Sequence, residues 1–431
     1  MSERRVILWF RQDLRLHDNE ALQDALASDA RIYPVYIFDE RAFHGKTRFG
    51  FPKTGEHRAQ FILESVTDLR QQLQSLGSDL IVRFGKPEDE LFAIAQQMKT
   101  SWIFCNRERT EEEVIVQDRL EQKLWSIGQE MRYSRGKMLY YTADLPFPVT
   151  HTPDSFATFK KEVERFVQVR KPFEVPKSLP AIGNEIQRGV LPTLEFLTET
   201  QDRTDSLEAS KWKGGENAGI FTLDHIFENR NNTPSQHSLH GGLDQSLTSL
   251  SPYLSVGCLS PKRIFHVLSK KSELNGNQIL FEHTFNRLMY RDYLRLMAKK
   301  HGNRIFQTKG VGGYVEVLQK GSSEAFTNWM NGTLGEPLID AILNKLNRTG
   351  FCNNQARMLA ANYLIFDLGI DWRKGASYFE SKLIDYDPCS NWVNWMMIAG
   401  VGPDHREQRK LNYSLQAQRL DPKGTFIERW S

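Results

Sequence analysis

Up to Phe104 the chain alternates short apolar runs with segments of helical spacing, and beyond Gly214 that alternation stops. Val6 to Phe10, Ile32 to Phe38, Leu80 to Arg83 and Ser101 to Phe104 read as strands, while Glu20 to Ala27, His57 to Leu76 and Pro87 to Met98 read as helices. Strands separated by helices build a parallel sheet with helices on its faces, because parallel neighbours need long crossover connections. The expectation is an open α/β domain over residues 1–130, with the C-terminal ends of its strands as the default ligand position.

From Leu139 to about Asp205 prolines accumulate, among them Pro146, Pro148, Pro153, Pro172 and Pro176, so residues 131–205 read as an ordered connector draped over a surface. Beyond it apolar residues recur at three-to-four spacing, as in Phe281, Phe285, Leu288 and Met289, and again in Met358, Ala361, Ile365 and Phe366. An all-helical second domain over residues 206–431 follows.

A chain of 431 residues buries a large core and divides into two domains. Its 40% hydrophobic and 25% charged residues exclude the disordered and fibrous classes. No run approaches the roughly 20 apolar residues that span a bilayer, and no signal-like segment opens the chain. A soluble, cytoplasmic monomer without membrane contact is expected, with an organellar location still open for a mature form. Cys105, Cys258, Cys352 and Cys389 lack paired ligand spacing, so neither a zinc site nor a disulfide framework is expected. The net charge of +3 permits contact with a polyanion without requiring it.

Chemistry concentrates near the C-terminal end. Asp385-Tyr386-Asp387-Pro388-Cys389-Ser390-Asn391-Trp392-Val393-Asn394-Trp395, preceded by Gly369-Ile370-Asp371-Trp372-Arg373, combines carboxylates, amides and indoles in a way an ordinary core does not. Carboxylates hold a sugar or a cation, an amide can face a redox ring, and Trp passes an electron or stacks on a base. Such a set suits an aromatic cofactor that exchanges electrons.

This run resembles the flavin-binding core of the photolyase/cryptochrome family, and Tyr386-Asp387-Pro388 with Ala399-Gly400-Val401-Gly402-Pro403-Asp404-His405-Arg406 resembles its DASH branch. Arg5 to Asn19 is similar to the family's first strand and loop, and Asp421-Pro422-Lys423-Gly424 to its last turn, so the resemblance spans nearly the whole chain. It implies an α/β antenna-type domain followed by a helical FAD-binding domain. It also implies FAD as cofactor and a pterin folate antenna, methenyltetrahydrofolate, docked near Asn106 to Glu112 with Glu108 bonding the pterin.

By resemblance, Arg357 pairs with Asp385 beside the flavin, Asp387 accepts from ring or ribose donors, and Asn391 faces flavin N5. An Asn suits that place because its amide both donates and accepts. Thr248, Ser249 and Ser251 correspond to the phosphate-cradling turn, with Ser251 ahead of Pro252 as the expected helix cap. Arg291 shares a helix face with Arg287 and is expected in the same cavity. Leu247 and Ser249 stand where the family usually has a hydroxyl and a basic residue, which implies weaker hold on the phosphates.

Trp395 corresponds to the flavin-proximal indole and Trp372 to the middle one, but Gln319 occupies the place of the outer Trp, so the usual route ends early unless Tyr314 or Trp329 replaces it. Asn354 and Tyr290 correspond to lesion-contacting positions. Arg287 stands for the usual lesion-facing carboxylate and Gln355 for an Arg. Arg406, Arg409 and Lys410 are further basic candidates for nucleic-acid contact. The resemblance implies a deoxyribodipyrimidine photo-lyase acting on cyclobutane pyrimidine dimers in single-stranded or damaged DNA. The alternatives are a cryptochrome-type photoreceptor with little repair, and a family member that binds nucleic acid without flavin.

Overall fold

The computed structural model describes residues 4–199, 212–226, 250–275, 278–312, 321–404 and 410–431. Five parallel strands, β1 (Arg5–Phe10), β2 (Arg31–Asp39), β3 (Ile81–Gly85), β4 (Trp102–Asn106) and β5 (Glu130–Ser134), lie in the order β3-β2-β1-β4-β5. The chain therefore reverses direction across the sheet between β1 and β4, the crevice where open α/β sheets bind ligands.

Alternate residues of β1 feed two cores, because successive side chains of a strand face opposite ways. Ile7 and Trp9 pack with Leu91, Ile94 and Met98 of helix Pro87–Met98 and with Leu120 and Leu124 of helix Glu111–Trp125. Val6, Leu8 and Phe10 join a core that continues into the helical part through Tyr253, Leu288, Trp372 and Trp395. The loop after β1 reinforces that union. Arg15 donates to the carbonyls of Gly257, Gly136 and Asp18, Asp18 pairs with Lys262 at 2.7 Å, and His17 bonds Glu216. Gly257 is required here: its φ is +76°, and a Cβ would sit 2.2 Å from the Gln12 carbonyl oxygen.

Two expectations need correction. The sheet does not end by residue 130, since β5 runs from Glu130 to Ser134; as an edge strand with exposed alternate residues it carries no apolar run to announce it. Ser251 does not cap its helix: it is the first residue of helix Ser251–Ser255, Leu250 holds the cap position, and no side chain bonds there.

Within the connector, helix Phe156–Phe166 sets Phe156 and Phe159 against Tyr290 and Tyr293, with ring centroids 5.0 to 5.6 Å apart. The described residues of the second part form helices only, of which Gln278–His301, Asn354–Asn362, Trp372–Lys382 and Pro388–Ile398 position the functional side chains. Among the described residues no helix is long and apolar enough to cross a membrane, and no His, Cys, Asp or Glu cluster could hold a metal ion.

Candidate functional site

Helix Asn354–Asn362 begins where the Asn353 side chain accepts from the Ala356 N–H, and one turn later it presents Arg357. Arg357 Nη2 donates to both oxygens of Asp385 at 2.8 Å, and Nε donates to the Cys352 carbonyl at 2.8 Å. Burial alone would weaken the guanidinium's hold on its proton, but the Asp385 charge keeps it above its ordinary value. Asp387 caps helix Pro388–Ile398: its Oδ1 accepts from Ser390 N at 2.8 Å while Oδ2 accepts from Arg295 Nη1 at 2.6 Å. Burial pushes this carboxyl up, yet Arg295 and Arg291 bring it down to about 2.

Arg295, which the sequence reading passed over, is the centre of a buried charge network. Its Nη2 lies 3.6 Å from Glu108 of the α/β domain, and Glu108 also pairs with Lys137. Burial raises the Asp292 carboxyl to about 6, against the pull of the Tyr140 N–H and Arg291. The signal was present in the sequence as spacing: Arg287, Arg291 and Arg295 recur every fourth residue and form one stripe.

Asn391 donates one amide hydrogen to the Ala376 carbonyl at 3.0 Å, which fixes its rotation and leaves a second hydrogen and the oxygen to serve a ligand. Trp395, one turn on, contacts Phe379 at 5.1 Å and Trp329 at 6.4 Å. Trp372 is fully buried, donates to the Thr308 carbonyl, and contacts Trp392 at 5.9 Å. Tyr290 donates to Asn394 Oδ1 at 3.0 Å, so its half-buried ring is tied to the helix that carries Asn391 and Trp395. Asn354 is exposed, beside Met358 on the same helix.

The guanidinium of Arg291 donates to the carbonyls of Lys137 and Leu254. It therefore braces the turn that starts at Ser251. Thr248, Ser249 and Leu247, together with Gln319, Tyr314, Arg406 and Arg409, lie outside the described residues. The donor set fits FAD. Gln355 Oε1 and Asn286 Oδ1 are buried acceptors without a protein partner, on the two helices that also carry Arg357 and Tyr290. An unpaired buried acceptor costs about 1–3 kcal/mol, which ring N–H or ribose hydroxyl donors of a bound flavin would offset. Asp385 and Asp387 would add acceptors, and Arg357 would supply charge to a bound ring that gains electron density.

A cleft of about 790 Å³ opens at the switch point of the sheet. Trp9, Arg11, Glu108 and Thr110 line it from the α/β domain, and Glu380, Tyr386 and Trp392 from the helical one.

A parallel-sheet domain fused to a helical domain with this polar and indole set fits the class of flavin-binding proteins. Residues 6–177 match the DNA photolyase family and residues 284–431 the FAD binding domain of DNA photolyase. The chain belongs to the photolyase/cryptochrome family. Over its whole length it is 39% identical to the cryptochrome DASH of Gloeobacter violaceus, covering 86% of that protein, and 38% identical to that of Xenopus laevis, covering 83%. A Synechocystis cryptochrome structure superposes with a TM-score of 0.93 at 36% identity, over 100% of this chain and 89% of that one. An archaeal photolyase from Sulfolobus tokodaii, solved with two FAD molecules, superposes with a TM-score of 0.80 at 27% identity, over 99% and 90%. The chain is thus a DASH-like flavoprotein with FAD as its cofactor.

Proposed function

We propose that this flavoprotein repairs cyclobutane pyrimidine dimers in single-stranded DNA under blue light. The observations that support the reading are the Arg357–Asp385 pair, Asn391 and Trp395 one turn apart on helix Pro388–Ile398, and the half-buried Tyr290 ring tied to that helix through Asn394, with Asn354 and Met358 exposed on the helix of Arg357. Reduced FAD, when bound, supplies the electron that opens the dimer and takes it back afterwards. The protein's own residues do the rest. Arg357 and Asn391 orient the ring system, Tyr290 offers an aromatic face to a base, and Asn354 offers amide contacts to the lesion. Flipping a dimer out of a duplex costs a few kcal/mol and is cheapest from a single strand, and Gln355 in place of an Arg contributes less phosphate attraction to offset that cost.

The same reading puts a pterin folate antenna in the cleft at the switch point. Glu108 lines that cleft, and its Oε2, 3.6 Å from Arg295 Nη2 and without a hydrogen-bond donor, would accept from the pterin amino group.

A second reading, a photoreceptor whose output is the flavin redox change, is favoured by one observation: exposed Arg287, one turn ahead of Tyr290, supplies no acceptor for a thymine imide. The deciding experiment gives chemically reduced, FAD-loaded protein one defined thymine dimer, in single-stranded and in duplex DNA, and counts restored thymines after blue light. Repair in the single strand and much less in the duplex is expected. No repair in either, with reduced FAD verified, moves the assignment to the photoreceptor.

A further inference from the structure

With Gln319 in the place of the outer Trp, the positive charge that leaves Trp395 must end elsewhere. Among the described residues two aromatic branches lead away. In the first, Trp329 lies 6.4 Å from Trp395 and Tyr378 lies 5.6 Å from Trp329. Trp329 Nε1 donates to the Ala360 carbonyl, and the Tyr378 hydroxyl is bonded to the Met330 carbonyl and the Asn347 amide oxygen. An oxidised phenol or indole has to shed its proton to trap the charge, and carbonyl oxygens do not take one. Charge that enters this branch returns.

The second branch ends on a base. Trp392 is three residues from Trp395 on helix Pro388–Ile398, hence its neighbour on the helix surface, and Trp372 contacts Trp392 at 5.9 Å. Trp392 Nε1 donates to the Tyr386 hydroxyl oxygen at 3.2 Å, and Tyr386 and Glu380 line the same cleft, close enough for their side chains to interact. The Arg58 guanidinium stands 4.8 Å from the Tyr386 ring centroid, which disfavours a positive ring and so couples electron loss to proton loss. Arg58, Lys53 and Glu112 are the charged groups around Glu380, which lines the cleft with Tyr386 and Trp392.

We propose that Trp392 and Tyr386 form the outer end of the light-driven oxidation route, with Glu380 as the acceptor of the phenolic proton. The inference rests on the FAD reading, because the oxidant is the photoexcited oxidised flavin. One electron leaves Trp395, and one electron passes from Trp392, directly or through Trp372, to refill it. Tyr386 then gives one electron to Trp392 as its O–H bond breaks. The proton goes to Glu380, which becomes a neutral carboxylic acid, and Tyr386 is left as a neutral oxygen radical at the cleft, open to a small exogenous reductant.

The test is electron paramagnetic resonance on FAD-reconstituted protein frozen during blue illumination, with ring-deuterated tyrosine to identify the radical and absorbance to verify flavin in every variant. A neutral tyrosyl signal is expected in the parent protein. Tyr386→Phe leaves a tryptophan radical alone, and Trp392→Phe loses the tyrosyl signal. Glu380→Gln lowers its yield on the order of a hundredfold, as removal of a positioned proton acceptor does. A tyrosyl signal that persists in Tyr386→Phe, or parent protein whose radical spectrum and lifetime equal those of Tyr386→Phe, overturns the inference while leaving the repair reading intact. Protein that takes up no FAD overturns both.

Discussion

Arg295 Nη1 lies 2.6 Å from Asp387 Oδ2, and the other terminal nitrogen of the same guanidinium lies 3.6 Å from Glu108 of the opposite domain. All three side chains are at most 5% exposed. A buried ion pair gains little over a well-packed apolar pair, but removal of one partner strands a charge in low dielectric, at a cost of about 3–5 kcal/mol. Arg295→Ala is therefore expected to lower the urea-unfolding free energy by that amount, and Arg295→Met with Asp387→Asn to recover most of it. A loss below about 1 kcal/mol in the single variant would mean that water reaches the pair.

Acid stability follows from the same carboxylate. The Asp387 pKa is depressed from 3.8 to about 2, so its contribution is complete above pH 4 and is lost as pH falls toward 2. The size is on the order of 2 kcal/mol at 1.36 kcal/mol per unit. Asp292 has the opposite sign: raised to about 6, it favours the fold below pH 4 and loses that contribution as pH rises through 6. Unfolding free energies of Asp387→Asn and Asp292→Asn between pH 2 and 7 are expected to flatten separate limbs of the curve. Loss of the same limb in both variants would contradict this division.

Asp385→Asn removes the charge from the pair with Arg357 but keeps its shape. Loss of charge-assisted bonds worth about 1.5–3 kcal/mol is expected to weaken FAD binding about ten- to hundredfold. Titration of flavin fluorescence against the flavin-free protein measures it, and an unchanged affinity would place the Arg357–Asp385 pair away from the cofactor.

How much of this was legible depended on whether a residue's role was local. The β1 to β4 runs and the helices Glu20–Ala27 and Pro87–Met98 could be read because apolar period and helix signals travel along the chain. β5 could not, because Glu130-Met131-Arg132-Tyr133-Ser134 pairs on one side only and needs no apolar run. Among the site residues, Arg357 and Asp385 were matched through their motif, and the structure pairs them. Arg295 was not, because its carboxylates come from positions far away in sequence and only the fold brings them together. The Trp392–Tyr386–Glu380 set lies within thirteen residues, but it was hidden because the turn between helices Trp372–Lys382 and Pro388–Ile398, and not a periodic pattern, brings the three side chains together.

Trp395 is held by its surroundings as much as by its ring contacts. A Cβ on Gly375 would lie 2.3 Å from the Trp395 Cη2 atom, so the helix Trp372–Lys382 passes directly against the indole. Trp395→Phe is expected to abolish most light-driven flavin reduction while FAD stays bound, and Gly375→Ala to reduce its yield by displacing the intact indole. Photoreduction in Trp395→Phe at the parental rate would remove Trp395 from the route.

Arg287 separates binding from chemistry. It is exposed on helix Gln278–His301, one turn ahead of Tyr290, and its Nε lies 3.4 Å from His283 Nε2. A cation there attracts the phosphate backbone but offers no acceptor to the imide N–H groups of a thymine dimer. Arg287→Glu exchanges one property for the other. Affinity for single-stranded DNA is expected to fall, with the salt dependence reduced by about one phosphate contact. The yield of restored thymine per bound dimer is expected to rise, because a carboxylate holds the imide hydrogens in place while the ring opens. Binding isotherms at several salt concentrations, combined with repair at saturating DNA and reduced flavin, measure the two effects independently. A variant in which both fall together would show that Arg287 itself orients the lesion.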